Sequence, residues 1–433
     1  MIQERKRDSK GQRIIIIGNG IAGNSAALAI RKFDKDVDVV LISDEKEPLY
    51  SPCAFHKYLA GEMESRKLFL KKVEDYSREG IRIIWGRKVG GVDPIAKEVW
   101  IEDRRIRFDK LILATGSKAL FPPIKGVDKR GVFALKTMDD VRSIFHYPAK
   151  KVVVVGSGPI GIEAAAAFRR RGLEVTLIEI LNRLMPRLFD EVPSSFLREI
   201  IEEAGIKVLT EEKAEEILGN GAVRGIATDQ REIACDMVVM GAGVRPNTEL
   251  AEKGGLEIGS LGGIKTDDYL MTNLENIYAC GDCVESKDMV TGEAGLSLLW
   301  PNAKRQGWVS GCNCVGEQRR FPGSFDATNL EISGTYVLSA GRGTADLAGR
   351  KGYEVIEKRN GSSYYRLVLV DNRLLGIQLI NKIEHGGLLF SKMVRKDDII
   401  GLARAVFDDK LLAVKPWNYW LGRYLAFSER RER

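Results

Sequence analysis

The sequence predicts an α/β fold built on two parallel-sheet units, with a mixed α+β region towards the C-terminal end. Two look-alike segments carry the first part of this reading, and one hairpin pattern carries the second. Residues 13–30 (RIIIIGNGIAGNSAALAI) and 151–168 (KVVVVGSGPIGIEAAAAF) each run from a β-branched stretch through a glycine-rich turn into an Ala-rich helical stretch. Each then leads into another strand-like run, Val37 to Ser43 and Glu174 to Glu179. This is a βαβ unit written twice, 138 residues apart, too far for a solenoid repeat. At about 150 residues per domain, the 433 residues suggest about three domains.

The elements follow in order. After the first unit, Leu49-YSPCAFHKYLAGE reads as a loop entering a helix. After the second, Leu197, Ile200, Ile201 and Ala204 have helical spacing, with Ser194 or Ser195 as the expected cap. Asn276-IYACGDCVE reads as a strand, a Gly-Asp turn and a helix. Tyr364 to Val370, an Asp-Asn-Arg turn and Leu374 to Leu379 read as a β-hairpin, and Leu388 to Val394 as a helix. Trp417, Trp420, Leu421, Tyr424 and Leu425 make an aromatic-rich amphipathic face, expected to dock on the C-terminal region.

Each glycine-rich turn is a G-x-G-x-x-G fingerprint in strand–turn–helix context: Gly18, Gly20 and Gly23, then Gly156, Gly158 and Gly161. The first glycine permits the tight turn, the second lets a pyrophosphate approach the backbone, and the third lets helix and strand pack closely. The helix N-terminus then faces the anion. Both units therefore read as Rossmann-like dinucleotide-binding domains. An acidic residue about 20 positions on is expected to accept hydrogen bonds from a ribose diol. In the second unit this is Glu179, 18 residues beyond Gly161, and a carboxylate there favours NADH over NADPH. Arg183 nearby weakens that preference. In the first unit Asp44 and Glu45 are both candidates.

Composition excludes several classes. No apolar stretch nears the roughly 18 residues of a membrane span. The charge of +7, from 67 basic and 60 acidic residues, is a mild bias that suits an anionic cofactor or an acidic partner. No Lys/Arg run with interleaved aromatics points to nucleic acid. The charged first ten residues lack the apolar core of a secretory signal, so a cytoplasmic protein is expected. In that setting the six cysteines are expected to be buried or reactive rather than disulfide-bonded. Cys280 and Cys283 flank the Gly281-Asp282 turn, and Cys312 and Cys314 follow 29 residues later. They are read as packing residues, not metal ligands.

With both fingerprints, three further motifs make the chain resemble the FAD-dependent pyridine nucleotide–disulfide oxidoreductase family over about residues 12–320. Leu111-ILATGS, with Thr115 and Gly116, looks like the segment that closes the first FAD piece. Gly241-AGVRPN, with Gly243, looks like the exit from the NAD domain. Thr272-NLENIYACGD looks like the second FAD motif, whose Asp282 would hold the flavin's ribityl chain. The resemblance implies an FAD domain in two pieces (1–117 and 248–328), an inserted NAD domain (118–247) and a C-terminal α+β domain (329–433). It also implies hydride transfer from NADH to FAD and onward electron transfer.

Two branches of the family contend for the acceptor. Cys53-AFHKYLAG is similar to the helix start carrying the single redox cysteine of NADH oxidases, NADH peroxidases and coenzyme A disulfide reductases. Leu49 replaces their usual serine, and Ile21 the peroxidases' histidine. The same segment is similar to that of rubredoxin and ferredoxin reductases, where Lys57 would sit beside the flavin and pair with Glu163. Trp300 would be an aromatic near the flavin, as in that branch, and Tyr365 to Leu389 resembles its C-terminal domain. An electron-carrier protein or a redox subunit is therefore the expected acceptor. The alternative is a small-molecule acceptor reduced through Cys53. His56 is expected to be packed or solvent-facing. The oligomeric state stays open.

Overall fold

The structure, a computed structural model, describes residues 11–332, 334–347, 352–381 and 383–401. The expected aromatic face at 417–425 lies outside them. The described residues form two compact units. One comprises the chain up to Phe55, Glu64–Lys118 and Val244–Ser324; the other comprises His56–Met63, Ala119–Gly243 and the described residues from Phe325 onward.

The first unit is organised by a five-stranded parallel sheet. Its order is Ile277–Ala279, Lys110–Leu113, Arg13–Ile17, Asp38–Ile42 and Ile81–Ile84. The unbroken isoleucine run of its central strand follows from burial on both faces. Ile14 and Ile16 enter one core with Ala22, Ala26 and Ile30, while Ile15 and Ile17 enter another with Val99, Phe108 and Leu111. The helix Ile21–Phe33 packs closely on Trp300–Cys314. Gly307 and Gly311 make this approach possible: a Cβ there would stand 2.0 Å from the Ala22 carbonyl oxygen and 2.3 Å from that of Ala26.

The second unit holds a five-stranded parallel sheet in the order Lys207–Leu209, Glu174–Ile178, Lys151–Val155, Met237–Met240 and Val132–Ala134. It also holds an antiparallel sheet in the order Ala327–Ile332, Thr335–Gly341, Arg373–Ile380, Ser363–Val370 and Tyr353–Asn360. The expected hairpin is its Ser363–Val370/Arg373–Ile380 pair. Asp371 and Asn372 at the tip both have positive φ, 49° and 58°, as a two-residue turn of primed type requires. The helix Gly386–Arg395 packs on this sheet, burying Leu389 and Met393.

Two local expectations are corrected. The helix over 191–203 has Asp190 at its N-cap position, so Ser194 lies inside it and is buried. Pro193 is accommodated in the first turn, where an amide hydrogen has no helical partner. After the Gly281-Asp282 turn the chain forms a strand, Val284–Lys287, not a helix. Val284 pairs with Ile264, so sheet pairing overrides the local pattern.

Candidate functional site

Each fingerprint is a cradle whose shape depends on missing side chains. Gly18 has φ +115°, and a Cβ on it would stand 2.0 Å from the Ala114 carbonyl oxygen. A Cβ on Gly23 would stand 2.0 Å from the Gly18 carbonyl oxygen. Gly20 faces open space. In the second unit Gly156 (φ +104°) and Gly161 are closed in the same way, by Gly241 and Gly156, and Gly158 faces open space. The residues thus fit the pyrophosphate of a dinucleotide at each turn: crowded first and third glycines, and an open second one before a helix N-terminus.

Around the first turn the side chains form a network. The Tyr76 hydroxyl, on a fully buried ring, donates to Asn19 Oδ1 (2.8 Å) and accepts from the Leu49 amide (2.9 Å). Burial pushes the Tyr76 phenol up. Asn24 Nδ2 donates to the Asn19 carbonyl at 2.8 Å. Of the two ribose candidates, Asp44 is exposed, while half-buried Glu45 accepts from the Tyr50 hydroxyl at 2.8 Å.

Thr115, Gly116, Asp282 and Trp300 lie in the same unit, whereas Lys57, also expected beside the flavin, falls in the second. Thr115 Oγ1 donates to the Asn247 carbonyl (2.7 Å), and Asn247 Nδ2 donates back to the Thr115 carbonyl (2.9 Å). The Asn247 amide donates to the Gly116 carbonyl at 2.9 Å. The Asn of the RPN motif therefore locks the ATG segment. Asp282 accepts from Ser117 Oγ at 2.7 Å, and the Gly281 amide donates to the side chain of buried Gln306 at 2.7 Å. Trp300 is half-buried at the first position of its helix.

In the second unit Glu179 is buried. Its carboxylate accepts from the Ser157 amide (2.9 Å), Ser157 Oγ (2.6 Å) and the Leu181 amide (3.0 Å). Arg183 is turned inward on its own loop, donating to the carbonyls of Phe189 and Pro186, both at 3.1 Å, and to the Asn182 side chain at 3.3 Å. Gly243 has φ +105° and open space, and its carbonyl accepts from the Leu120 amide.

Glu163 follows Gly161 on the fingerprint helix. His56, expected from the sequence to be packed or solvent-facing, is the group that meets it, with Nδ1 at 3.5 Å from Oε1. At that distance the contact is not a hydrogen bond, and Nδ1 has no hydrogen-bond partner. Burial pushes Glu163 up to about 8, against the opposing charges of Arg170 and Lys57. Burial, with Lys57 and Arg170, pushes His56 below its ordinary value, against Glu331 and Glu62. Near neutral pH the pair is thus a protonated carboxyl beside a neutral imidazole, not an ion pair. Lys57 acts on Glu163 through its charge; within 4 Å of the carboxylate its place is taken by His56. Arg170 itself pairs with Glu62 at 3.2 Å.

Cys53 lies in the first unit, in a short 3-10 turn over Pro52–Ala54, and is exposed. The other five cysteines are buried. Burial pushes the Cys235 and Cys314 thiols up to about 12 and Cys312 to about 11, and holds Cys280 and Cys283 high as well. Among the described residues no group of three or more His, Cys, Asp or Glu is placed to hold a metal ion. No described helix is long and apolar enough to cross a membrane.

Comparison with known proteins gives a family match, described as pyridine nucleotide-disulphide oxidoreductase, over residues 12–307. The chain is 39% identical over 339 residues to a NADH oxidase of Methanocaldococcus jannaschii, covering 75% of each protein. It is 31% identical to the nitrite reductase [NAD(P)H] of Bacillus subtilis, covering 90% of this chain but spanning only 48% of that protein. Among solved structures, a NAD-dependent persulfide reductase from A. fulgidus superposes with a TM-score of 0.87 at 27% identity, covering 94% of this chain and 80% of that one.

Proposed function

The chain belongs to the pyridine nucleotide-disulphide oxidoreductase family, and we propose that it oxidises NADH and reduces a small disulfide, persulfide or oxygen acceptor through Cys53. The observation that carries the acceptor side is exposure. Cys53 is the one exposed cysteine among the described residues, in the segment that resembles a redox-cysteine site, while the others are buried with their thiols pushed up. A thiolate is the nucleophile in sulfur exchange, so an accessible thiol is the competent one. Its attack on a disulfide forms a mixed disulfide and releases the other sulfur as a thiolate. Two electrons originating from NADH then cleave the mixed disulfide, returning Cys53 to its thiolate and releasing the second substrate sulfur as a thiolate.

FAD would be held by the Gly18–Gly23 turn, Glu45, Thr115, Gly116 and Asp282, and when bound it supplies two-electron transfer between nicotinamide and acceptor. NADH would lie on the Gly156–Gly161 turn with its ribose at Glu179. NADH is favoured over NADPH because the Glu179 carboxylate repels a 2′-phosphate, and the donors of Arg183 are committed to its own loop.

The second reading, electron transfer to a carrier protein or a redox subunit, draws on the likeness to a nitrite reductase, of which this chain spans about half. Cys53→Ser separates the two. NADH-dependent reduction of coenzyme A disulfide should fall at least 100-fold, while reduction of an outer-sphere dye should stay within about twofold. A Cys53→Ser enzyme that still reduces disulfide, or a wild type that reduces rubredoxin far faster than any small acceptor, would put the carrier reading first.

A further inference from the structure

We infer that the C-terminal antiparallel sheet is part of the NADH-binding apparatus, because it anchors the segment 181–190 against the second fingerprint turn. The inference rests on the reading that NADH occupies that turn.

The segment follows Glu179 directly and is anchored at both ends. At its near end the Leu181 amide donates to the Glu179 carboxylate (3.0 Å) and the Met185 amide to the Ser157 carbonyl (3.1 Å). The fingerprint residue Ser157 therefore touches both Glu179 and this segment. Met185 has φ +46°, a left-handed conformation that is strained for a non-glycine residue and persists only where neighbours hold it.

At the far end the holders are Ser339, Arg366 and Gln378 of the antiparallel sheet, with the Thr344 amide just beyond one of its strands. Ser339 Oγ donates to the Leu188 carbonyl at 2.7 Å. Asp190 accepts from Arg366 Nε (2.9 Å), Gln378 Nε2 (3.2 Å) and the Thr344 amide (2.9 Å), and its own amide donates to Gln378 Oε1 (3.2 Å). Asp190 is 5% exposed and Gln378 1%. Asp190 stands at the N-cap position of the helix Glu191–Glu203, yet its side chain makes no capping hydrogen bond. A carboxylate there ordinarily caps its helix; this one is turned to the sheet. Gly343 leaves room for it, since a Cβ would stand 2.7 Å from Asp190 Oδ1.

Between the two ends Leu184, Met185 and Phe189 are buried and Arg183 ties the segment to itself, so displacement at 188–190 is passed to 181–185. Ser339, Gln378 and Arg366 are therefore positioning residues for the Glu179 carboxylate. They act through the segment and not on the cofactor.

The test is steady-state kinetics on the flavin-loaded enzyme with an outer-sphere dye as acceptor. Ser339→Ala removes one hydrogen bond and should raise KM for NADH about three- to tenfold. Asp190→Ala should raise it more than tenfold, and Asp190→Asn should restore most of the loss. In each, kcat should stay within about twofold and the flavin-to-protein ratio should be unchanged. Variants that melt earlier but keep the wild-type KM would overturn the inference and leave the anchor purely structural. Gly158→Asp, which puts a negative charge in the open cradle, is the control for the underlying reading. If it binds NADH normally, the site assignment itself fails; if only it loses NADH, the anchor alone fails.

Discussion

Gly18→Val should yield a colourless protein with less than about 1% of wild-type NADH turnover. The substitution meets two obstacles at once. Its Cβ would stand 2.0 Å from the Ala114 carbonyl oxygen, closer than any non-bonded contact, and the backbone sits at φ +115°, where a β-branched residue is strongly disfavoured. Neither is relieved by moving a side chain, because the blocking atom is backbone in the adjacent strand run. Gly20 supplies the contrast. Alanine there enters open space and should keep much of the flavin, whereas aspartate should expel it by charge without disturbing the fold. Flavin absorbance read alongside far-UV circular dichroism checks all three. A yellow, active Gly18→Val protein would show that the first turn does not hold the flavin.

Glu163→Gln should stabilise the protein at alkaline pH and change little in acid. Folded Glu163 keeps its proton up to about pH 8, whereas the unfolded chain releases it near 4.5. The unfolded state therefore gains on the folded one as pH rises between these values, and the stability present below 4.5 is lost by about 8. The separation corresponds to something on the order of 5 kcal/mol, for a side chain only 18% exposed. Glutamine keeps the shape and removes the titration. The melting temperature of the variant should exceed that of wild type by several degrees at pH 9 and match it at pH 4.5. His56 works in the opposite sense: its folded value is lowered, so its contribution is present above its ordinary value and lost as pH falls through the folded one. A wild-type melting temperature that does not fall between pH 5 and 8 relative to Glu163→Gln would show that the carboxyl is ionised in the folded protein.

Much of this architecture is legible in the chain because it is local. The Ile14–Ile17 and Val152–Val155 runs announce strands buried on both faces, and each is followed at once by the glycines that shape its cradle. The hairpin at 363–380 is legible for the same reason, since its turn residues lie between the strands they join. What was not legible depends on partners distant in sequence. Nothing beside His56 says that Glu163, 107 positions on, will meet it. The resemblance pairs Glu163 with Lys57, the neighbour of His56, which acts on the carboxyl through its charge. Nothing near Asp190 says that its carboxylate will be claimed by Arg366 and Gln378 rather than by the helix it begins. Gly307 and Gly311 show a milder case. Their four-residue spacing is a readable sign of close helix packing, in a segment that Cys312 and Cys314 also mark.

Anaerobic titration of the purified protein with NADH and, separately, with NADPH tests most directly whether this chain carries a flavin that NADH reduces. The oxidised-flavin absorbance should be lost at one equivalent of NADH, at a rate at least tenfold faster than with NADPH. A protein that binds no flavin, or a bound flavin that neither nicotinamide reduces, would contradict that reading.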